Sequence, residues 1–277
     1  MTAAAAGFVG VAGLVGGAAL AAFAVLLPVC VGPDRIRAVL SDRDLLRERA
    51  VGIAPYVAGL ALVLAVNKGS IRRIEAFSFE YGYRATTAIY AIEGDLVAAI
   101  QDAVPRAAVY YFGPMYVVGY VVLVAFPVAA YAFAERLRPL KRLVAAYAVN
   151  YAVAIACYAG IVAYGPRNYP TVPGADPSAA PVEPLLLDWF GGVTQLTSQV
   201  NAATNVFPSL HTALSVTVFL AAVSTHEEFP RWTYVAGALA GSIVVATVFL
   251  GIHWVTDVVA GGVLAAGSVA AANRIVD

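Results

Sequence analysis

Two of the three histidines of this 277-residue chain, His211 and His253, stand at the starts of long apolar runs. Asp257 follows His253 by four residues, so a helix would place both on one face, where the carboxylate can accept a proton from one ring nitrogen. The other nitrogen is then free to attack, and the second histidine can protonate a leaving group. The third histidine, His226, lies in a polar turn and is predicted to be solvated. The pattern predicts nucleophilic and acid–base chemistry.

The residues before His211 predict a place for an anion. Pro208 and Ser209 stand where a helix would begin, and backbone N–H groups at a helix start have no partner inside the helix. The hydroxyl of Ser209 and the N–H of Leu210 are therefore candidates for holding phosphate oxygens. Phosphoryl transfer also requires cations around those oxygens, and Arg167 is the candidate for this role.

The composition indicates a membrane protein. Hydrophobic residues make up 61% of the chain, charged residues only 12%, and the mean hydropathy is +0.79, beyond what a soluble domain needs. The apolar runs are 7–31, 51–66, 107–133, 143–164, 207–225, 232–250 and 253–272. We expect one all-α integral membrane domain, a bundle of about seven spans. The zero net charge gives no reason to expect a nucleic-acid partner.

The charges between the runs predict the orientation. Arginines concentrate in the segment 32–50, and arginines with a lysine in the segment 136–142, so the positive-inside rule places both in the cytoplasm. The loops 67–106 and 165–206 then face outward. Both candidate histidines are expected on the outer face of the plasma or cytoplasmic membrane.

The two outer loops carry further expectations. In 67–106, apolar residues at helical spacing predict one amphipathic helix on the membrane surface, and the alternative is that Glu93 or Asp95 binds an acceptor there. The helix stripe consists of Ile89, Ile92, Leu96, Ile100 and Val104. In 165–206, the polar stretch 191–205 is where an acceptor pocket is expected.

At this point the motifs resemble the type 2 phosphatidic acid phosphatase superfamily of membrane lipid phosphatases and phosphotransferases. Its second signature, Pro-Ser-Gly-His, is matched by Pro208, Ser209 and His211, with Leu210 in place of the glycine. Its third signature, Ser-Arg, five residues, His, three residues, Asp, is matched by His253 and Asp257. The Pro-Ser-Leu-His variant resembles the inositol phosphorylceramide synthase-like branch. The motifs lie within residues 164–261.

The resemblance implies a six-helix core and a role for each candidate residue. His253 would be the nucleophile that forms a phosphohistidine, Asp257 would orient it, and His211 would be the general acid. Ser209 and Arg167 would hold the phosphate. The substrate would be a lipid-linked phosphate or diphosphate, with water or a lipid or polyol hydroxyl as acceptor, and no cofactor or metal would be required.

The chain departs from the signatures at two cationic positions. Thr247 and Ala246 stand where the third signature has arginine and serine, and Gly160 and Asn168 stand where the first has lysine and proline. Three explanations remain open: other cations compensate, the substrate carries less charge, or catalysis has been lost. The compensating candidates in the outer loop are Lys68, Arg72 and Arg73.

Other readings of the same residues remain open. Ser209 could simply cap a helix, and His253 beside Trp254 could belong to an interfacial aromatic belt. A metal site built from both candidate histidines and Asp257 would lack a further His or Cys ligand. The missing cations would also fit a lipid-binding or transport protein without chemistry.

Overall fold

The computed structural model describes residues 3–189 and 203–277, and this part of the chain is almost entirely helical. It contains twelve α-helices and two strands of two residues each. The helices are α1 Ala3–Cys30, α2 Pro33–Ser41, α3 Arg43–Tyr81, α4 Thr86–Glu93, α5 Leu96–Ala103, α6 Val109–Pro114, α7 Tyr120–Tyr131, α8 Arg138–Gly160, α9 Leu185–Trp189, α10 Leu210–Ser224, α11 Pro230–Phe249 and α12 Val255–Val276. The strands are β1 Tyr83–Arg84 and β2 Ile161–Val162. The predicted all-α class is confirmed.

Six helical segments within the described residues are long and apolar enough to cross a membrane. They are Gly10–Cys30, Arg43–Tyr81, Arg106–Tyr131, Arg138–Gly160, Pro230–Phe249 and Val255–Val276. Six of the seven predicted spans are therefore helices of spanning length. The remaining run, 207–225, forms α10, whose 15 residues reach only about 22 Å at the usual helical rise. That is shorter than the roughly 30 Å of membrane hydrocarbon.

Helix α10 is short because it lies at the centre of the bundle. It packs against α8, α11 and α12, and the residues on its inward faces are almost completely buried. Surrounding helices cover most of its apolar surface, while Phe219 and Val223 remain exposed, so it need not span the full hydrocarbon thickness. Its first turn, which carries His211 between the buried Ser209 and Thr212, is thereby held inside the bundle.

The third span changes its helical form midway. Helix α6 ends at Pro114, a five-residue π-helical segment Met115–Gly119 follows, and α7 continues the span. Proline has no backbone N–H to donate, which weakens the regular α-helical ladder here. Single π-helical turns occur frequently at functional sites. This one carries Tyr116, and Tyr120 begins the helix after it.

Two of the ion pairs mark the end of the bundle that carries the arginine-rich segments. Arg35, after α1, pairs with Glu228, which follows α10, at 2.5 Å. Arg142, in the first turns of α8, pairs with Asp277, which follows α12, at 2.7 Å. The two candidate histidines lie at the opposite ends of α10 and α12. The arginine-rich segments and the candidate site are therefore separated by the length of the bundle.

Short extended segments tie three parts of the chain together at the histidine end. Strand β1 pairs in parallel with β2, and Ala163 forms a bridge with Asn205. The N–H of Tyr164 also donates to the hydroxyl of Thr86 at 3.0 Å. The start of α4, the end of α8 and the segment before α10 are thus joined beside the candidate site.

The segment 67–106 differs from the predicted outer loop. Helix α3 continues into it without a break, and the predicted single amphipathic helix is wrong, because the chain divides into α4 and α5 at Gly94, where φ is 55°. This break rotates the second half of the stripe. Of the predicted stripe, Ile89 is buried and Ile92 is exposed, whereas Val97, outside the stripe, is buried. The face that packs on the bundle therefore coincides only in part with the predicted stripe.

Candidate active site

His253 lies in the turn between α11 and α12, just before α12 begins. The carbonyl oxygen of Thr247 accepts hydrogen bonds from the N–H groups of Ile252 and His253, at 3.1 and 3.0 Å. Gly251 has a φ of 68°, the left-handed region that glycine adopts readily, and this reverses the chain. Two backbone hydrogen bonds therefore fix the turn that carries the buried histidine.

Asp257 is completely buried in the first turn of α12. Its Oδ2 accepts a hydrogen bond from the N–H of Trp254 at 2.8 Å and lies 3.5 Å from Nδ1 of His253. The sequence predicts the pair on one face of a single helix. Instead, His253 precedes the helix, and the carboxylate reaches back across the helix start. Asp257 thus faces Nδ1 and leaves Nε2 as the ring nitrogen available for chemistry.

His211 is half-buried among aromatic rings in the first turn of α10. Its ring centroid lies 4.6 Å from that of Tyr116 and 4.5 Å from that of Tyr120, both on the third span. The ring of His253 lies 6.1 Å away. The structure therefore brings the two predicted histidines together, and the two tyrosine rings restrict the orientation of His211.

Ser209 caps α10 from a fully buried position. Its Oγ accepts a hydrogen bond from the N–H of Thr212 at 3.3 Å, and its own N–H donates to the carbonyl oxygen of Asp257 at 3.0 Å. The oxygen of this hydroxyl thus caps the helix as an acceptor, and the hydroxyl proton can be donated to an anion. Leu210 is the first residue of α10, so its N–H has no partner inside the helix.

Arg167 lies in a short 3-10 helix, Pro166–Thr171, beside the turn that carries His253. Its N–H donates to the carbonyl oxygen of Gly251 at 3.3 Å. Two segments that are distant in sequence are therefore in backbone contact beside the histidine.

The guanidinium of Arg167 has an unused donor. Within the described part of the chain, its Nη1 is buried and has no hydrogen-bond partner. Burial lowers the pKa of the Arg167 guanidinium, and the nearby Tyr116 opposes this shift, while arginine in proteins stays protonated. A charged group with a free, desolvated donor next to the histidine turn is suited to bind an anionic oxygen.

A buried residue, Thr247, occupies the position at which the third signature has arginine. Thr247 is completely buried, and its hydroxyl donates to the carbonyl oxygen of Val244 at 2.7 Å. The cations considered as substitutes do not approach the site. Their side chains are exposed on α3, and no contact among the described residues joins them to either histidine; they are Lys68, Arg72 and Arg73.

Several other residues complete the comparison with the sequence. Tyr116 and Tyr120 were not identified, because no motif marks an aromatic residue in an apolar span as a neighbour of a histidine. His226 is exposed at the far end of α10, as predicted. Most of the predicted acceptor region 191–205 lies outside the described residues, which end at 189 and resume at 203. Among those described, no three His, Cys, Asp or Glu side chains are grouped to hold a metal.

The comparisons with known proteins bear on the same part of the chain. The family model of the PAP2 superfamily matches residues 89–271, more than half of the sequence, and the match includes His211, His253 and Asp257. No curated protein and no solved structure gives a significant match. The predicted resemblance to the type 2 phosphatidic acid phosphatases is thus confirmed at the level of the superfamily. This chain, with its six spanning helices, belongs to the PAP2 superfamily of integral membrane phosphatases and phosphotransferases.

Proposed function

We propose that this protein transfers phosphate from a lipid-linked phosphate or diphosphate through a phosphohistidine at His253. One observation carries the proposal: the ring centroids of His211, on α10, and of His253, in the turn before α12, lie 6.1 Å apart, with Asp257 3.5 Å from Nδ1 of His253. A single phosphate group can contact both rings across this gap. Such an arrangement of an oriented nucleophile and an opposing acid suits phosphoryl transfer better than ligand storage.

In the proposed reaction, Nε2 of His253 attacks phosphorus and the bond from phosphorus to the lipid oxygen breaks. His211 donates its proton to the departing lipid alkoxide. Water or an acceptor hydroxyl then attacks phosphorus, the P–N bond breaks, and His211 takes the proton of the attacking group. Asp257, 3.5 Å from Nδ1, orients the His253 ring and stabilises the positive charge that develops on it.

The phosphate oxygens are assigned to donors around the start of α10. These are Nη1 of Arg167, the N–H of Leu210 and the hydroxyl proton of Ser209. Among the described residues, no carboxylate contacts the ring of His211. The negative charge that favours its protonated form therefore arrives with the substrate phosphate, which couples acid catalysis to substrate binding.

The proposed active site faces the outer side of the plasma or cytoplasmic membrane. The ion-paired Arg35 and Arg142 lie at the opposite end of α10 and α12, and cationic ends of membrane proteins are retained in the cytoplasm. A cysteine introduced at Pro170, an exposed position near the site, is expected to react with a membrane-impermeant maleimide in intact cells. Labelling only after the cells are lysed would contradict this orientation.

Hydrolysis and head-group transfer differ only in the group that attacks the phosphoenzyme. The Pro-Ser-Leu-His sequence, residues 208–211, favours transfer, as in the inositol phosphorylceramide synthase-like branch that it resembles. We expect an inositol or lipid hydroxyl acceptor to raise the rate of lipid release and to appear in the product. A rate that is independent of every acceptor would assign the protein to hydrolysis.

The test compares purified wild type with His253→Ala and His226→Ala in lipid–detergent micelles. The substrates are lipid monophosphates, lipid diphosphates and phosphoinositol lipids with a radioactive phosphate, with EDTA present. Wild type and His226→Ala are expected to release product and to carry an acid-labile phosphoenzyme. His253→Ala should do neither, because it lacks the proposed nucleophile. Turnover by His253→Ala would falsify the phosphohistidine mechanism.

A second function, lipid binding without chemistry, is favoured by one observation. The position of the missing motif arginine is occupied by the buried Thr247, which leaves Arg167 as the cation beside the His253 turn in the described part of the chain. This alternative predicts that wild type releases no phosphate from any of these lipids. It also predicts that His253→Ala binds them as tightly as wild type does.

A further inference from the structure

A second carboxylate, that of Glu93, contacts the start of the helix that carries Asp257. Oε2 of Glu93 accepts a hydrogen bond from the N–H of Val255 at 3.0 Å, and Oε1 accepts one from the N–H of Thr256. Val255 and Thr256 are the first two residues of α12, whose N–H groups have no partner inside the helix. A half-buried carboxylate at the end of α4 therefore caps the helix start next to His253.

A second side chain from the same region holds the other side of the histidine turn. Gln101, on α5, donates from Nε2 to the carbonyl oxygen of Phe249 at 2.9 Å, and Phe249 is the last residue of α11. The amide of Gln101 is itself fixed by the backbone of Glu183, at 2.8 and 3.0 Å. Helices α4 and α5 thus form hydrogen bonds on both sides of the turn that carries His253, to the end of α11 and to the start of α12.

The capping carboxylates also decide where an anion can bind. Glu93 takes two N–H groups at the start of α12, and Asp257 takes the N–H of Trp254. A helix start is ordinarily attractive to phosphate, but here three of its donors already hold protein carboxylates. Two negative groups at this helix start also repel a further anion. The substrate phosphate is therefore left to the start of α10 and to Arg167.

We infer that Glu93 is a positioning residue for the reaction. It fixes the first turn of α12 so that Asp257 stays against His253 and both keep their distance from His211. The inference rests on the proposed function, because it assigns Glu93 a part in keeping that nucleophile in place. Among the described residues, the hydrogen bonds of Glu93 go to the backbone of Val255 and Thr256 and not to either histidine ring.

The expected effect follows from the geometry. Asp257 lies 3.5 Å from Nδ1 of His253, which has no hydrogen-bond partner among the described residues. This is already beyond the usual limit of about 3.2 Å for a hydrogen bond, so a further shift of the helix start separates the pair. Displacements of about 1 Å at a catalytic group can cost roughly 100-fold in rate. Glu93→Gln keeps the size of the side chain but places an amide N–H₂ against a backbone N–H.

The experiment measures hydrogen exchange and kinetics on the same full-length proteins in detergent. The variants are Glu93→Gln and Glu93→Ala, and the control is Asp102→Asn. Asp102 is an exposed carboxylate on α5 with no hydrogen bond or ion pair to the described residues. Both Glu93 variants are expected to exchange the amides of residues 250–258 at least about 10-fold faster. Asp102→Asn should match wild type.

The kinetic result separates positioning from acceptor binding. With Glu93→Gln, kcat should fall by about 10- to 100-fold, whereas KM for the lipid phosphate and for the acceptor should change by less than about threefold. Glu93→Asp is too short to reach both N–H groups and should restore only part of the rate. A raised acceptor KM with an unchanged kcat would make Glu93 an acceptor ligand and overturn the inference.

The kinetic measurement tests the proposed function, and the hydrogen-exchange measurement tests the role of Glu93, so each can contradict its own proposal without the other. If wild type turns over no lipid phosphate, the proposed function is wrong, and the exchange data still report whether Glu93 holds the start of α12. If exchange in residues 250–258 is the same in wild type and Glu93→Gln, Glu93 does not position the helix. If Glu93→Ala does not fold, Glu93→Gln alone decides both questions.

Discussion

Gly261 of α12 and Ser209, the cap of α10, meet without a side chain between them. A Cβ atom added at Gly261 would stand 2.5 Å from the carbonyl oxygen of Ser209 and 3.0 Å from Cβ of Thr212. The neighbouring Gly262 has no atom within 4 Å of such a Cβ. The close approach sets the separation of the two helices that carry the histidine pair.

This contact makes Gly261→Ala a test of how strictly the helix spacing matters. Because backbone must move to admit the methyl group, we expect a loss of about 1–3 kcal/mol in stability. The separation of the histidine rings should widen, and kcat should fall by at least about 10-fold. Gly262→Ala is the control, and it should leave kcat unchanged without lowering the melting temperature, because alanine favours a helix more than glycine does. If Gly261→Ala and Gly262→Ala had the same melting temperature and the same kcat, the contact at Gly261 would not set the helix spacing.

The role of His211 as an acid can be tested with the leaving group. We expect His211→Gln to slow the release of an alkyl lipid phosphate by about 100- to 10,000-fold, the usual range for lost acid–base catalysis. An aryl phosphate, whose leaving group needs no protonation, should lose much less. The measurement is kcat/KM for an alkyl and a nitrophenyl ester of phosphate in micelles. An equal loss for both esters would assign His211 to binding.

Asp257→Asn tests the orientation of the nucleophile. The amide can still accept a hydrogen bond from the N–H of Trp254, but it has no charge to stabilise the His253 ring. We expect kcat to fall by about 100- to 10,000-fold with little change in KM, because loss of the corresponding carboxylate in oriented histidine sites has effects of that order. Wild-type kinetics in Asp257→Asn would remove the carboxylate from the mechanism.

Arg167→Gln tests the assignment of the phosphate contact. A hydrogen bond to a charged group is worth about 1.5–3 kcal/mol, so inhibition by inorganic phosphate or vanadate should weaken by roughly 10- to 100-fold. The matched control is Arg84→Gln, because Arg84 is an exposed arginine at the same end of the bundle. The inhibition constants of both variants are compared with wild type. The same constant in all three proteins would show that Arg167 does not hold the anion.

The pH profile of kcat/KM should be bell-shaped, because His253 must be neutral to attack and His211 protonated to donate. Histidine ordinarily titrates between about pH 5 and 8. Loss of stability through Asp277, at the end of the bundle opposite the histidines, should not distort this activity profile. Arg142 and Arg138 hold the pKa of Asp277 below the usual 3.8. Its contribution to stability is complete above that value and is lost only as the pH falls through the lowered pKa. A monotonic profile would contradict the paired roles.

The sequence alone was sufficient for the class of the fold and for the identity of the histidine pair. Long apolar runs imply helices in a membrane, because an unpaired backbone is too costly in hydrocarbon. The motif around His211 and the motif around His253 are each local, so residue types and spacing reveal them. The same local reasoning failed at α4 and α5, where Gly94 breaks a helix that periodicity alone extends.

Only the tertiary structure decided which distant residues surround the pair. Glu93 caps α12 from 162 residues away, and Tyr116 and Tyr120 meet His211 from another span. Gly261 is small because Ser209 lies against it, a fact that no neighbouring residue in the sequence reveals. Helix formation and membrane insertion depend on composition and on hydrogen bonds within a few residues. Contacts between helices depend instead on how their surfaces pack, and a single sequence carries no local pattern for that.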